Sequence, residues 1–509
     1  MKKMKKILTL FVAVLTLVLA VSCGNKVKCD SFTATTSRID LSITFYAEFD
    51  NGSVFSEKGA NAYVALYDGE TYKSTVNITF EDKECTDGSA KFTQLTPGVE
   101  YTGKLYYTLD GNKNYVTEVN ATIDSTGDET APIVITTSQE FLNMTNDLKA
   151  HYELGNDISF TAEDATALEK ISVFTSSKVF KGSFDGKGYT IKNFGLTSNT
   201  YMGLFGYTDG ATIKNLKIEN VQVDLSSTGR GETYMGAVVG KGINTTIENV
   251  TVNNVNFKFK GYSTAKVSLG GFAGRLESST VTNCSIDNAI IEITYARLEM
   301  ALGLFAGYTE GTTKITNCYS KGSLSARVYF STDENAADYV YLGGFVGVSD
   351  ASSPIKGCYT VADIKVNEDS SKTTVSKTHR LSVGGFVGGN KLGSLKVEDS
   401  IAIADFDVTT EHSNKAYVGG FAGRVIHSSS SLKNVAYQAK ENGIKLTAKL
   451  DNVFASLLVA HCDTKKVENV VSYTDKIVAP EGFTLVEVTK TATDKDIEGL
   501  IALYYNKAE

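Results

Sequence analysis

Apolar and polar positions alternate with period two along most of this chain, in short runs separated by Gly, Asn and Asp, and such runs predict half-buried strands. In the first part they cover residues 38–45, 62–67, 76–80, 101–109 and 115–123. Turn signals divide them at Asp50-Asn51-Gly52, Asp68-Gly69, Asp87-Gly88 and Asp110-Gly111, and the last predicts a tight hairpin. About seven strands over residues 31–125 predict a β-sandwich. The polar, turn-rich residues 126–132 predict a linker.

From residue 133 onward the pattern repeats. The stretch Leu269-Gly270-Gly271-Phe272-Ala273-Gly274 has relatives at 202–206, 235–240, 302–307, 342–347, 383–388 and 418–423. Their central apolar residues are Phe205, Val238, Phe272, Phe305, Phe345, Phe386 and Phe421, which recur every 33 to 41 residues. A period of this size signals stacked supersecondary units. Some ten residues later comes a second signature: apolar, polar, Asn, apolar. Its Asn positions are Asn215, Asn249, Asn283, Asn317, Asn434 and Asn469. Three short strands per repeat predict one coil of a right-handed parallel β-helix. Equivalent residues of successive coils then lie one strand spacing apart, about 4.8 Å. The Phe column is expected inside, the paired Gly at a crowded corner, and the Asn column as a ladder of amides. The predicted fold is therefore all-β: an N-terminal β-sandwich followed by a capped parallel β-helix, a solenoid.

Both ends of the solenoid carry cap signals. Thr137-Ser138-Gln139-Glu140 is a capping box, with Phe141, Leu142, Met144 and Leu148 on one face of the helix it would start. At the other end, residues 455–460 replace the Gly-Gly-Phe core, and 494–505 read as a second helix.

These stretches resemble known families. Gly203-Leu204-Phe205-Gly206 and Gly303-Leu304-Phe305-Ala306-Gly307, with the lead-in at 180–193, resemble the GLUG motif. The resemblance runs from about 134 to about 475 and implies a bacterial surface protein with a role in display or attachment. Residues 92–101, ending in Pro97-Gly98-Val99-Glu100-Tyr101, resemble the tyrosine corner of fibronectin type III and immunoglobulin-like domains, where the hydroxyl bonds to upstream backbone.

The amino terminus carries an address. MKKMKK precedes an apolar run and then Ser22-Cys23-Gly24, the layout of a secretory signal peptide. Ala20-Val21-Ser22-Cys23 resembles the lipobox of bacterial lipoproteins, which implies lipidation of Cys23 and an anchor in the membrane. The predicted organisation is thus a signal peptide at 1–22, a tether at 23–30, a sandwich at 31–125, a linker at 126–132 and a solenoid at 133–509. The expected location is extracytoplasmic, at the bacterial cell surface.

Composition narrows the chemistry. The chain of 509 residues carries net charge −8, 45 Gly, only 4 Pro and no Trp. Such an acidic chain has no electrostatic footprint for nucleic acid. No H-E-x-x-H, C-x-x-C or G-x-S-x-G is present. No cofactor, metal site or catalytic residue is expected, and neither is an enzyme. Cys284, Cys318 and Cys358 share one column and read as small core residues. Cys29 and Cys85 are open to pairing across the sandwich. Outward acids such as Glu248, Asp287 and Asp363 fall in different columns. Tyr319 and Tyr359 are candidate platforms for sugar rings, and insertions at 331–338 and 368–377 mark a candidate contact side. The leading expectation is a monomer that presents its solenoid for adhesion to a host or cell-surface protein or glycan. The alternatives are polysaccharide binding or degradation, and a structural spacer.

Overall fold

A computed structural model describes residues 27–478 except 51, 58–59, 82, 125–126, 164–166, 198–199, 228–230, 263–265, 297–298, 330–338, 369–378, 411–414, 449–452, 463–466 and 473–476. Cys23, the insertion 331–338, nearly all of 368–377 and the expected helix at 494–505 lie outside the described residues. The chain divides into two units between Ile133 and Val134.

The first unit holds two antiparallel four-stranded sheets. One orders Cys29–Ser37, Ser42–Phe49, Asp87–Phe92 and Thr79–Phe80; the other orders Thr71–Asn77, Asn61–Asp68, Glu100–Leu109 and Asn112–Thr122. Their inward residues form one core around Ile43, Phe45, Val64 and Leu105. Gly103 sits where a Cβ would strike the Phe45 ring from the opposite sheet. The hairpin turn has Asp110 and Gly111 at positive φ, as the sequence pair requires. The Tyr101 hydroxyl accepts a hydrogen bond from the Thr96 N–H (3.1 Å), which ties the strand start to the loop before it. Cys29 and Cys85 are both free thiols. Cys29 pairs with Phe49 on one side, and the Phe49 N–H bonds Thr86 on the other, so a strand runs between the cysteines. Two strand spacings, about 9.6 Å, exceed the reach of a disulfide.

The second unit is a stack of coils joined by parallel pairing. Each full coil supplies two short strands and one long run. Short strands from Tyr201–Met202 to Val453–Ser456 form one eight-stranded parallel sheet. Those from Phe205–Asp209 to Val459–Cys462 form a second. The third stack consists of longer runs such as Thr212–Ser227, Thr246–Tyr262 and Ser285–Ala296. Instead of three short strands per repeat, the third strand is long and bent. Pairing between Thr212–Ser227 and Thr246–Tyr262 skips Asn215 and Asn220, where the backbone turns.

The two short sheets meet almost backbone to backbone. A Cβ on Gly274, Gly307 or Gly347 would fall closer than 3.0 Å to the backbone of the other short sheet in the preceding coil. A Cβ on Gly270 or Gly303 would meet the backbone of its own turn and of the next coil. None of these glycines has positive φ, so crowding alone selects them.

The capping box forms as the sequence pattern requires. Thr137 Oγ1 accepts from the Glu140 N–H and the Glu140 carboxylate accepts from the Thr137 N–H. The helix Ser138–Asn143 places Phe141 against the rings of Phe160, Phe174, Phe184 and Phe205 and so closes the first coil. The helix stops at Asn143, short of Leu148; Leu148 and Leu142 are only half-buried, whereas Met144 is buried.

The Phe column is continuous. Phe272, Phe305, Phe345, Phe386 and Phe421 stack with centroids 4.6–4.9 Å apart and planes within 18° of parallel. Backbone bonds extend the column to Val238 and Phe205 below and to Leu458 above. Truncating Phe305 removes contacts to two rings at once. Phe305→Ala is expected to destabilise the solenoid by roughly 3–5 kcal/mol and Phe305→Leu by under about 1.5 kcal/mol, measured by denaturant unfolding of the full chain.

Candidate functional site

The Asn column is a ladder at a left-handed corner. Asn215, Asn249, Asn283, Asn317 and Asn434 all have φ between 51° and 55°. Asp399 and Gly357 take the same corner in the coils that lack Asn, at φ 49° and 64°. These are the residue types that tolerate this backbone region. The amides bond up the stack: Asn249 Nδ2 donates to Asn215 Oδ1 (3.1 Å), Asn283 to Asn249 (3.2 Å) and Asn317 to Asn283 (3.4 Å). Asn469 lies in the strand Val467–Ser472, and its side chain is outside the described residues.

A second ladder, which the sequence reading missed, stands five residues further on. Asn193, Asn220, Asn254 and Asn288 have φ between 53° and 62°. Asn220 Nδ2 donates to Asn193 Oδ1 (2.8 Å) and Asn254 Nδ2 to Asn220 Oδ1 (3.2 Å). The signal was available: Asn215/Asn220, Asn249/Asn254 and Asn283/Asn288 repeat the same spacing in three coils.

This second ladder slips at its top. Asn288 Nδ2 donates not to Asn254 but to Asn253 Oδ1 (2.8 Å). Beside the slip lies an open groove of about 320 Å³, lined by Asn193, Asn220, Gln222, Asn254, Asn256 and Asn288 together with Leu168, Val255 and Ile290. Gln222, Asn256 and Ile290 face outward in successive coils, and Ile290 is 45% exposed. Asn256 Oδ1 is buried and has no hydrogen-bond partner among the described residues. A buried acceptor left in that state costs about 1–3 kcal/mol. Among the described residues one acid lines the groove, Glu163, and it is held by Lys192. The site can therefore donate and accept hydrogen bonds and offer an apolar contact, and it has no group set for proton transfer.

The other candidate residues are engaged within the fold. Tyr359 is 4% exposed and stacks on Tyr319 (4.8 Å), so neither offers the free ring face expected of a sugar platform. The Tyr319 hydroxyl donates to Asp287 (2.7 Å), which also pairs with Lys321, and Asp363 pairs with Lys440. Glu248 belongs to a column that reads Lys214, Glu248, Thr282, Thr316, Lys356, Glu398 and Lys433, so its charges alternate in sign from coil to coil. Where the two short sheets meet, Arg275 lies over Tyr234 and Tyr308 and pairs with Glu310 (2.6 Å). Burial pushes the Tyr308 hydroxyl well above its ordinary pKa, with Asp350 and Glu310 nearby adding to the effect.

Cys284, Cys318 and Cys358 form a column of free, buried thiols. Cys318 Sγ accepts from the Cys284 N–H (3.4 Å) and Cys358 Sγ from the Cys318 N–H (3.4 Å). Each thiol also donates to the carbonyl two residues before it. Ser400 takes over the same task in the next coil, accepting from the Cys358 N–H (3.2 Å). The column is thus a hydrogen-bonding device, matched at another corner by Thr245, Ser279 and Thr313. Burial raises the Cys284 and Cys318 pKa values well above the ordinary thiol value.

A family model for the GLUG motif matches residues 299–325. One coil of the solenoid thus matches the GLUG motif. The match spans the short strands Met300–Gly303 and Ala306–Gly311 and the start of the long run beyond them. None of the curated proteins compared with the chain matches it. Among solved structures, an IgA1 protease is 15% identical over 95% of this chain and 30% of its own, with a TM-score of 0.39. The chain thus spans under a third of that protein's length. The Family 28 exopolygalacturonase of Yersinia enterocolitica is 10% identical over 87% of this chain and 99% of its own, with a TM-score of 0.15. At those scores the architecture rests on the strand pairing of this chain itself.

Three outcomes follow from these columns. Asn249→Ala is expected to be less stable than Asn249→Gly by roughly 1 kcal/mol in denaturant unfolding, because only Gly relieves the left-handed backbone. Cys318→Ser should fold with a stability close to that of the parent, whereas Cys318→Val leaves the Cys284 N–H unpaired and loses about 1–3 kcal/mol. With folded-state pKa values raised, the thiols contribute fully below the ordinary thiol pKa and lose that contribution as pH rises past it. Stability measured from pH 7 to 10 should therefore fall at the alkaline end, and by less in a Cys284→Ser/Cys318→Ser double variant.

Proposed function

We propose that this chain is a non-catalytic protein of the bacterial cell surface that presents a right-handed parallel β-helix for adhesion or ligand binding. In this reading Cys23 carries the lipid that holds the protein at the membrane, residues 31–125 are an immunoglobulin- or fibronectin-like domain, and the protein works as a monomer without a cofactor. The observation that carries the binding role is the groove beside the slipped Asn ladder. Hydrogen-bonding groups there are turned to the surface, one buried acceptor is unpaired, and an apolar side chain is exposed beside them. Elsewhere many outward columns satisfy one another through ion pairs, stacked rings and amide ladders, which suits a stiff scaffold. The GLUG coil, together with the signal and lipobox pattern at the amino terminus, supports the surface location. Polysaccharide binding is the second reading, favoured by the amide-rich, nearly uncharged lining of the groove. A spacer role predicts a groove that binds nothing.

The reading is tested in bacterial cells that make the full chain. The protein should fractionate with membranes, and Cys23→Ser should release it to the soluble extracytoplasmic fraction. Cells displaying the parent chain should retain host-cell or matrix material, and an Asn254→Lys/Asn256→Lys variant displayed at the same level should retain less. Equal retention by the two would remove the groove from the role.

A further inference from the structure

The geometry points to a neutral saccharide as the ligand of the amide groove, an inference that rests on the reading of that groove as the binding site. A side-chain amide presents an acceptor and a donor side by side, and a pair of vicinal hydroxyls presents the complementary set. Six amides converge here, from Asn193, Asn220, Gln222, Asn254, Asn256 and Asn288. Their internal bonds leave a defined vacancy. Asn193 and Asn220 each use Oδ1 as acceptor and Nδ2 as donor within the ladder. Asn254 donates downward, but the Asn288 amide that would donate to it goes to Asn253. Asn254 Oδ1 therefore lacks the ladder donor that Asn220 Oδ1 receives, and two residues along the same strand Asn256 Oδ1 is buried with no donor among the described residues. A ligand that fits must bring hydroxyl or amide donors into the groove.

Three further features select among such ligands. Among the described residues the lining carries no basic side chain and its one acid is tied to Lys192, so none of them compensates a carboxylate or sulfate. Ile290 is exposed at the side of the groove, with Leu168 beside it, and can cover the C–H face of a sugar ring. The volume, about 320 Å³, is at the small end of ligand sites and suits a terminal sugar or a short stretch of glycan rather than a folded partner. The donors and acceptors sit on strands locked by parallel pairing to both neighbouring coils, so the site is ordered before the ligand arrives.

The test is a titration of the purified full chain, by calorimetry and saturation-transfer NMR, with glucose, galactose, N-acetylglucosamine and their β-linked dimers. Glucuronate, galactose 6-sulfate and short Asn- and Gly-containing peptides run beside them. The expected result is binding of at least one neutral sugar, with affinity lowered on the order of tenfold by Asn254→Gly and by Asn256→Val. Asn249→Gly makes the same change in the other ladder and should leave the affinity unchanged. Gly fits the left-handed backbone at 254 and 249, and thermal unfolding of each variant checks that the coil is intact. Binding of neutral sugars that is indifferent to both groove variants would overturn the site. Binding of only the charged sugars or the peptides, lost in the same variants, would overturn the saccharide assignment and leave the groove as a ligand site. Absence of binding by every probe overturns the inference, while retention of matrix material by displayed cells would still be decided by the display assay.

Discussion

Every rung of this solenoid sits one strand spacing above the last, and that single repeat distance dictates which side chains each column can hold. A side chain meets its own equivalent in the next coil. Groups that complement themselves can therefore repeat, and groups that repel themselves gain by alternating or by pairing with a neighbouring column. Phe rings repeat and stack, because offset aromatic faces attract. Carboxamides repeat, because each carries both donor and acceptor. Hydroxyl and thiol columns repeat for the same reason, and Ser400 continues the cysteine column without a break. Charges alternate in several columns: Asp224, Lys258 and Glu292 follow one another up the stack, and Lys365, Asp407 and Lys445 do so further on. Others hold like charges, as Glu277, Glu310 and Asp350 do, with Arg275 pairing Glu310 from the neighbouring column. The alternation also penalises a slip of one coil, since the shifted column would set like charges opposite each other.

Glycine serves the same constraint from the other direction. The two short sheets approach until their backbones touch, and only residues without a Cβ fit between them. This explains why the repeat is read most easily as a glycine motif, although the apolar residue inside it supplies the packing. The second glycine of the motif gives way to Leu204 and Leu304 in two coils, both buried, while in later coils a Cβ at Gly344 or Gly385 would lie 2.0 Å from a backbone oxygen of the next coil.

A scaffold in which each column satisfies itself leaves few groups available to a ligand. The groove beside Asn254 and Asn256 differs because the ladder that should close it is displaced by one residue. Binding capacity thus arises from an interruption of the repeat, and the surrounding register holds the interrupted groups in place. Tyrosines and acids that look available in the sequence are absorbed into the scaffold, as Tyr319, Tyr359, Asp287 and Asp363 are.

What could be read in the chain alone was whatever the repeat distance forces into a period: the Phe column, the glycine motif, the first Asn ladder and the capping box at Thr137. Each is a local demand, met by a residue type that few others replace, so it leaves a mark at fixed spacing. The long bent strand was not legible as such, because a left-handed Asn inside a strand looks in sequence like the end of one. Nor could spacing show that Cys29 and Cys85 stand on opposite sides of a strand, or that Leu148 falls beyond the end of a short cap helix. The groove belongs wholly to the tertiary structure: it depends on which of two neighbouring amides, Asn253 or Asn254, receives the Asn288 bond, and that choice is made between coils.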